Sequence, residues 1–297
     1  MFPFSKGMSM SKDRAIQIGF VGVASSSILV VGLIFLFLFK EAAPFAKHPG
    51  LVALLDSQWI PVSFQQERFG ILPLAAGTIL VTGIAMLVSV PLSALAAVYI
   101  AEVAQPVERE ILKPFIELLA SIPSVVLGFF GLVVLAPLTK QLFGLNTGLN
   151  ALTGGLLLAL MAIPTIVSVS EDAINAVPVT YRNASLALGA SRMQTIWQVV
   201  VPAALPGILG AVMLGTGRVI GETMAVLMVT GNAALITANP LAPVRTMTAS
   251  IAAEMGEVPF GSTHYQALFW VGIILLVITF GLNFVARRIS VRYGMMR

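Results

Sequence analysis

The run Gly217-Arg218-Val219-Ile220-Gly221-Glu222-Thr223 sets a guanidinium and a carboxylate four residues apart inside an otherwise apolar stretch. An arginine at the centre of a membrane helix costs roughly 2.5–3.5 kcal/mol even on the forgiving insertion scale, so such residues face a bundle interior or a solvated path. The planar fork of guanidinium donors matches two oxygens of a tetrahedral oxyanion. On a continuous helix Glu222 would follow Arg218 by one turn and pair with it when no anion is present. An internal carboxylate competing for the same donors would keep the anion from being held too tightly to leave. The chemistry expected of Arg218, Glu222 and Thr223 is therefore reversible anion recognition on a translocation path, with Arg218 exchanging partners. The alternative is a permanent Arg218–Glu222 salt bridge that only fixes helix packing.

The elements that must position these groups are membrane helices. Of 297 residues, 58% are hydrophobic and 10% charged, whereas a soluble domain is about a quarter charged, so the polar surface needed in water is lacking. The net charge of +4 does not signal nucleic acid, because the basic residues cap apolar segments instead of forming one face. Without cysteine, a disulfide framework and a thiolate metal site are both excluded. Crossing a hydrocarbon core of roughly 30 Å takes about 20 apolar residues. Suitable runs are Ile16 to Phe39, Ile71 to Ala101, Phe115 to Leu138, Leu152 to Val169, Leu205 to Thr230 and Ala267 to Ala286, which predicts an all-α polytopic membrane protein. The first run exceeds the apolar core of about 7–15 residues in a cleaved signal and reads as a retained anchor. Pro91 is expected to bend the second or end it early.

Lysine and arginine orient the chain. Lys6, Lys12, Arg14, Arg109, Lys113, Arg182, Arg192, Arg287, Arg288, Arg292 and Arg297 fall on one side, against Lys40, Lys47, Arg68, Lys140 and Arg245 on the other. Both termini are therefore expected in the cytoplasm. The chain divides into an N-terminal segment, anchor and external loop (1–70), a core of five spans (71–288) containing an inside loop (170–204), and a cytoplasmic tail (289–297). Within the inside loop, Val179 to Leu188 favours helix, Gly189 a turn, and Ser191 the cap of a second helix through Met193 to Val201 that ends at Pro202. The result would be a compact helix–turn–helix knob.

Other features have plainer readings. Gly207, Gly210, Gly215, Gly217 and Gly221 suit close helix packing. Pro123 and Pro164 suit kinks, and Ser121, Ser124, Thr165 and Ser168 are expected to bond their own helix backbones. His48 and His264 lie far apart in external loops, too few for a metal site or general base. No H-E-x-x-H helix, phosphate-cradling lysine loop or serine elbow occurs, so the chain is not an ATPase. A membrane enzyme would need more converging groups than Arg218 and Glu222. A channel or ion-coupled carrier would use that pair without a knob.

The knob carries a family resemblance. Permease subunits of ATP-binding-cassette importers have the pattern E-A-A-x3-G-x9-I-x-L-P, and here Asn183-Ala184-Ser185 is followed after three residues by Gly189 and after nine more by Val199-Val200-Val201-Pro202. Asn183 replaces the family glutamate and Ser185 the second alanine. The segments Ser121 to Val126 with Gly128-Phe129-Phe130-Gly131, Pro164 to Asp172, Gly217 to Val226, and Pro243 to Thr248 leading to Glu254-Met255-Gly256-Glu257 resemble the phosphate branch, and its PstC-like rather than PstA-like subunit. The resemblance implies a type I ABC importer permease fold of six helices in the bacterial inner membrane. It also implies a PstA-like second permease, two PstB-like ATPase subunits that bind ATP and Mg, and a periplasmic PstS-like phosphate-binding protein, with no cofactor in this chain. On it, Asn183, Ala184, Ser185, Gly189 and Pro202 couple to the ATPase. Arg245, Glu254 and Glu257 meet the binding protein or close an external gate, unless they are merely a solvated loop surface. Sulfate or molybdate permeases are the nearest alternatives.

Overall fold

The computed structural model describes residues 10–63 and 65–295. Lys6 and Arg297 of the charge asymmetry lie outside the described residues, as do the side chains of Lys12, Arg14, Arg287 and Arg292. Among the described residues, six helical stretches are long and apolar enough to cross a membrane: Gln17–Leu55, Leu72–Val103, Ser124–Phe143, Ala151–Asn175, Arg192–Gly221 and Thr263–Phe284.

The helices are α1 (Met10–Phe45), α2 (Leu72–Val98), α3 (Pro106–Ser121), α4 (Ser124–Phe130), α5 (Ala136–Phe143), α6 (Ala151–Asn175), α7 (Val179–Ala187), α8 (Arg192–Thr195), α9 (Val201–Gly221), α10 (Met224–Val229), α11 (Met247–Glu254) and α12 (Thr263–Met295). α6 is the centre, packed most extensively against α2 and α9. Its start is fixed by Asn150, whose side chain accepts from the Thr153 N–H at 2.9 Å, replacing one of the unpaired amides of a helix N-terminus. Small residues let the three helices close up. A Cβ on Gly155 would come within 2.5 Å of Ile84, one on Gly215 within 2.5 Å of Ile166, and one on Gly207 within 2.4 Å of Ala173. Leu157, Ile166 and Ala211 are fully buried between them.

Four expectations about the spans are corrected. Pro91 neither ends nor shortens the second, which continues through Val98 into a π-helical turn over Tyr99–Val103. The third starts at Ser124, because Ile122 and Pro123 are extended (ψ 128° and 136°), as a residue preceding proline prefers. Phe115 to Ser121 belongs instead to α3, an amphipathic helix with Val107, Ile111, Phe115 and Leu118 exposed along one stripe. The fifth breaks after Gly221. The sixth extends through what reads as a tail, since α12 remains helical to Met295.

At the end of the bundle beyond α10 and α11, β1 (Trp59–Ile60) pairs antiparallel with β2 (Arg68–Phe69). Phe45, Trp59, Phe69, Leu74, Met247 and Leu268 form a satellite core there. The segment expected as an external loop is not all surface: Val244, Met247, Ala249 and Ser250 are fully buried. A Cβ on Gly77 of α2 would lie 2.4 Å from the Arg245 carbonyl, so glycine admits this returning strand of backbone.

Candidate substrate path and knob

α9 ends where Glu222 turns extended (φ −69°, ψ 134°), and α10 starts afresh after Thr223 (φ −121°, ψ −60°). Arg218 and Glu222 are thus not stacked on one helix. Among the described residues Arg218 makes no ion pair; its Nη1 donates to Thr165 Oγ1 at 3.0 Å. The permanent salt bridge is overturned, and Thr165, not Glu222, is the partner of the guanidinium. Thr165 lies close to the middle of the 25-residue α6, which sets Arg218 level with the middle of that helix. Arg218, Leu214 and Gly221 share an exposed stripe of α9 that the chain itself leaves uncovered.

Glu222 serves the break. Its Oε1 accepts from the Ala225 N–H at 3.3 Å, at the start of α10, and its carbonyl accepts from Thr248 Oγ1 at 2.8 Å. Thr223 Oγ1 donates to the Gly221 carbonyl at 3.2 Å. The short α10 is seated by Gly128 of α4, where a Cβ would meet Met228 at 2.9 Å and Ala225 at 3.0 Å. A helix interrupted at membrane depth leaves carbonyls and amides that need partners, a pattern tolerated where backbone lines a cavity or is buried in protein. The glycine expectation divides. Gly207 and Gly215 are packing positions, whereas a Cβ on Gly210, Gly217 or Gly221 would meet nothing within 4 Å in this chain.

The knob forms as its sequence suggests, with one change. Gly189 turns the chain at φ 87°, a region glycine enters without the Cβ penalty. Ser191 and Gln194 form a capping box, with Ser191 N–H to Gln194 Oε1 at 2.8 Å and Gln194 N–H to Ser191 Oγ at 3.3 Å. Ser185 and Thr195 hydroxyls meet at 2.9 Å and close α7 onto α8. The second helix does not end at Pro202; helix runs from Arg192 to Gly221 and passes through a π-helical turn over Ile196–Val200 just before Pro202. Asn183 and Ala184 are exposed, as are the apolar Tyr181, Leu186 and Leu188.

Sequence reasoning missed the anchor of this knob. Arg182 on α7 donates from Nη2 to Glu102 Oε1 at 2.6 Å and from Nε at 3.0 Å, and also to the carbonyls of Val177 and Ile174. Arg192 donates to the Glu102 carbonyl. One guanidinium thereby ties α7 to the ends of α2 and α6. The only sequence signal was an arginine beside the family motif.

At the opposite end Arg245 and Glu254 come together, Nη1 to Oε1 at 2.5 Å. His264 Nε2 lies 2.8 Å from Glu254 Oε2, and Trp59 Nε1 donates to the same carboxylate at 3.1 Å. Glu254 and Glu257 line a cleft of about 830 Å³ with Trp59, Glu67 and His264. Arg245 and Glu254 are thus half-buried partners of one another, while Glu257 is exposed.

This bundle, with its broken helix and its knob, is that of a membrane transport subunit. Residues 89–294 match the family of binding-protein-dependent transport system inner membrane components, and the chain belongs to that family. A Bacillus subtilis relative, the probable ABC transporter permease protein YqgH, is 39% identical over 80% of this chain and 77% of its own length. The phosphate transport system permease protein PstC of Mesorhizobium japonicum is 36% identical over 82% of this chain and 81% of its own length. Among solved structures, a bacterial alginate ABC transporter in complex with an alginate-loaded periplasmic protein shares the fold at TM-score 0.64, with 17% identity over 95% of this chain and 98% of that one. An inward-facing MetNI methionine ABC transporter does so at 0.55, with 21% identity over 75% and 94%. The chain is a multi-pass inner-membrane transporter subunit, not an enzyme. Membership of this family implies that an ATPase and a binding protein work with it.

Proposed function

We propose that the chain is the PstC-type permease subunit of an ATP-driven importer of inorganic phosphate. The single observation that carries the site is Arg218: a guanidinium level with the middle of α6, exposed on this chain, and held among the described residues by one neutral hydroxyl and no carboxylate. A cation left so to lipid would be unfavourable, so its face closes a solvated cavity with a PstA-like second permease. There phosphate displaces Thr165 and takes the guanidinium fork. Glu222 and Thr223 shape the broken backbone beside it. The relatives named for phosphate transport support this substrate.

The α7–α8 end then lies in the cytoplasm with both termini, and the β1–β2 end outside, as the charge asymmetry favours. Two PstB-like subunits bind ATP and Mg and receive the knob through Asn183, Ala184 and Ser185, with Gly189 and Pro202 setting its turn and its exit into α9. A periplasmic PstS-like protein delivers phosphate at the outer cleft, beside Arg245, Glu254 and Glu257. Rigid-body motion of the knob reaches α2 and α6 through Arg182.

Uptake of phosphate by the reconstituted complex tests this, with sulfate as competitor. Arg218→Gln should abolish uptake while assembly remains intact, and sulfate should not compete. Normal uptake by an assembled Arg218→Gln complex would reject the path role. Equal competition by sulfate would reject phosphate as the particular substrate.

A further inference from the structure

α11 has its two ends fastened in two different places. At its start, the Met247 N–H donates to Thr78 Oγ1 of α2 at 3.0 Å, and Thr248 Oγ1 donates to the Glu222 carbonyl at 2.8 Å. That carbonyl is released where α9 stops, at a half-buried position where it needs a donor. Thr248 supplies it across 26 residues of sequence. Thr246 caps the helix through the Ala249 N–H at 3.2 Å and meets the Thr248 hydroxyl at 3.1 Å, so the donor is itself held in place.

At the other end Glu254 is the common acceptor for donors from three elements: Trp59 of β1, His264 of α12, and Arg245 from the strand that leads into α11. Arg245 also donates from Nε to the Asn232 carbonyl at 3.0 Å, beyond α10. The eight-residue α11 is roughly 12 Å long at 1.5 Å per residue. Its first turn is buried, whereas Trp59, Glu254 and His264 line the outer cleft. A two-turn helix fastened at both ends moves as one body.

We infer that α11 is a strut through which the outer cleft sets the break in the α9–α10 helix, with Thr248 the positioning residue for Glu222. This rests on the reading of Arg218 to Thr223 as the phosphate path. Events at the cleft that draw on the Trp59, Arg245 or His264 bonds to Glu254 shift α11 along its axis. The Thr248 hydroxyl then moves with respect to the Glu222 carbonyl, and the segment beside Arg218 follows. Thr248 does not touch substrate; it acts through the backbone of Glu222.

The test uses the complete complex in vesicles, with inorganic phosphate and its binding protein. Its two readouts are phosphate uptake and the stimulation of ATP hydrolysis by the loaded binding protein. Thr248→Val keeps the shape and removes the donor. It should reduce stimulation about tenfold, the scale of one buried hydrogen bond, with basal hydrolysis unchanged, and Thr248→Ser should restore it. A structural role alone would lower basal and stimulated hydrolysis together and would overturn the inference, as would stimulation at the parental level. Should Thr248→Val fail to assemble, Thr78→Val, which removes the acceptor for the Met247 N–H at the start of α11, decides: reduced stimulation with basal hydrolysis intact supports the strut, and parental stimulation overturns it. If the parent complex hydrolyses ATP on stimulation yet takes up no phosphate, the path reading itself falls.

Discussion

Arg218 shows how spacing along a sequence can name the wrong partner for a side chain. Its cost in lipid marked it for a solvated path, but the helical spacing to Glu222 promised a pairing that the break removes. Arg218→Lys keeps a charge yet loses the planar fork, so uptake should fall well below the parent while protein level holds, as measured by initial uptake rates. Gly189 makes a second residue-scale case. Its φ of 87° has open space around it, so Gly189→Ala meets no clash and costs only the left-handed backbone penalty of roughly 1–2 kcal/mol. ATP hydrolysis should then persist with weaker coupling to uptake, seen as fewer phosphates moved per ATP. Retained coupling would show that the turn tolerates an ordinary residue.

Among the elements, α9 separates glycines that pack from glycines that do not. Gly215→Val drives atoms into Ile166 at the centre of the bundle and should destabilise by about 1–3 kcal/mol or more, lowering the melting temperature. Gly217→Ala meets nothing in this chain, so a loss of assembly there would locate the second permease on that face. Arg182→Ala strands a largely buried Glu102 carboxylate, 12% exposed, with a cost of about 3 kcal/mol; it should loosen the knob first, as increased hydrogen exchange of α7. α3 is held to α6 by Lys113, whose Nζ lies 3.0 Å from Glu171. That hydrogen bond, helped by nearby carboxylate charge, raises the lysine pKa despite partial burial. A raised lysine stabilises at every pH below its ordinary value near about 10.4 and loses that contribution as pH climbs through the raised one. Lys113→Met should therefore lower the melting temperature alike at neutral and mildly alkaline pH, the gap closing only in strong alkali.

Six spans, the capped knob and its glycine turn were all legible, because apolar length, cap residues and positive-φ glycine are local signals. The breaks at Ile122-Pro123 and Glu222-Thr223 were not. Neither proline position nor an apolar run says whether a helix continues when neighbouring elements can supply the lost backbone partners. Thr248 for Glu222, Arg182 for Glu102 and Trp59 for Glu254 are long-range choices of that kind, and no spacing rule encodes them. On the whole molecule, the exposed face of α9 and the exposed α1 make opposite claims about their surroundings. The chain has no cysteine, so Leu214→Cys and Ile28→Cys can be compared directly in the assembled complex. A water-soluble maleimide should label the first and spare the second; the reverse would turn the α9 face to lipid.

The isolation of α1 has its own consequence. No residue in its most apolar stretch is buried inside the chain, and its ties are near its far end, where Phe37 meets Phe269 edge-on and Trp270 Nε1 donates to the Ala42 carbonyl. Residues 17–36, all exposed on this chain, answer to hydrocarbon thickness, a constraint on length and greasiness rather than on identity. Such a helix can drift freely in sequence, can be exchanged for a foreign anchor of equal reach, and can settle in the bilayer without waiting for the rest of the bundle to receive it.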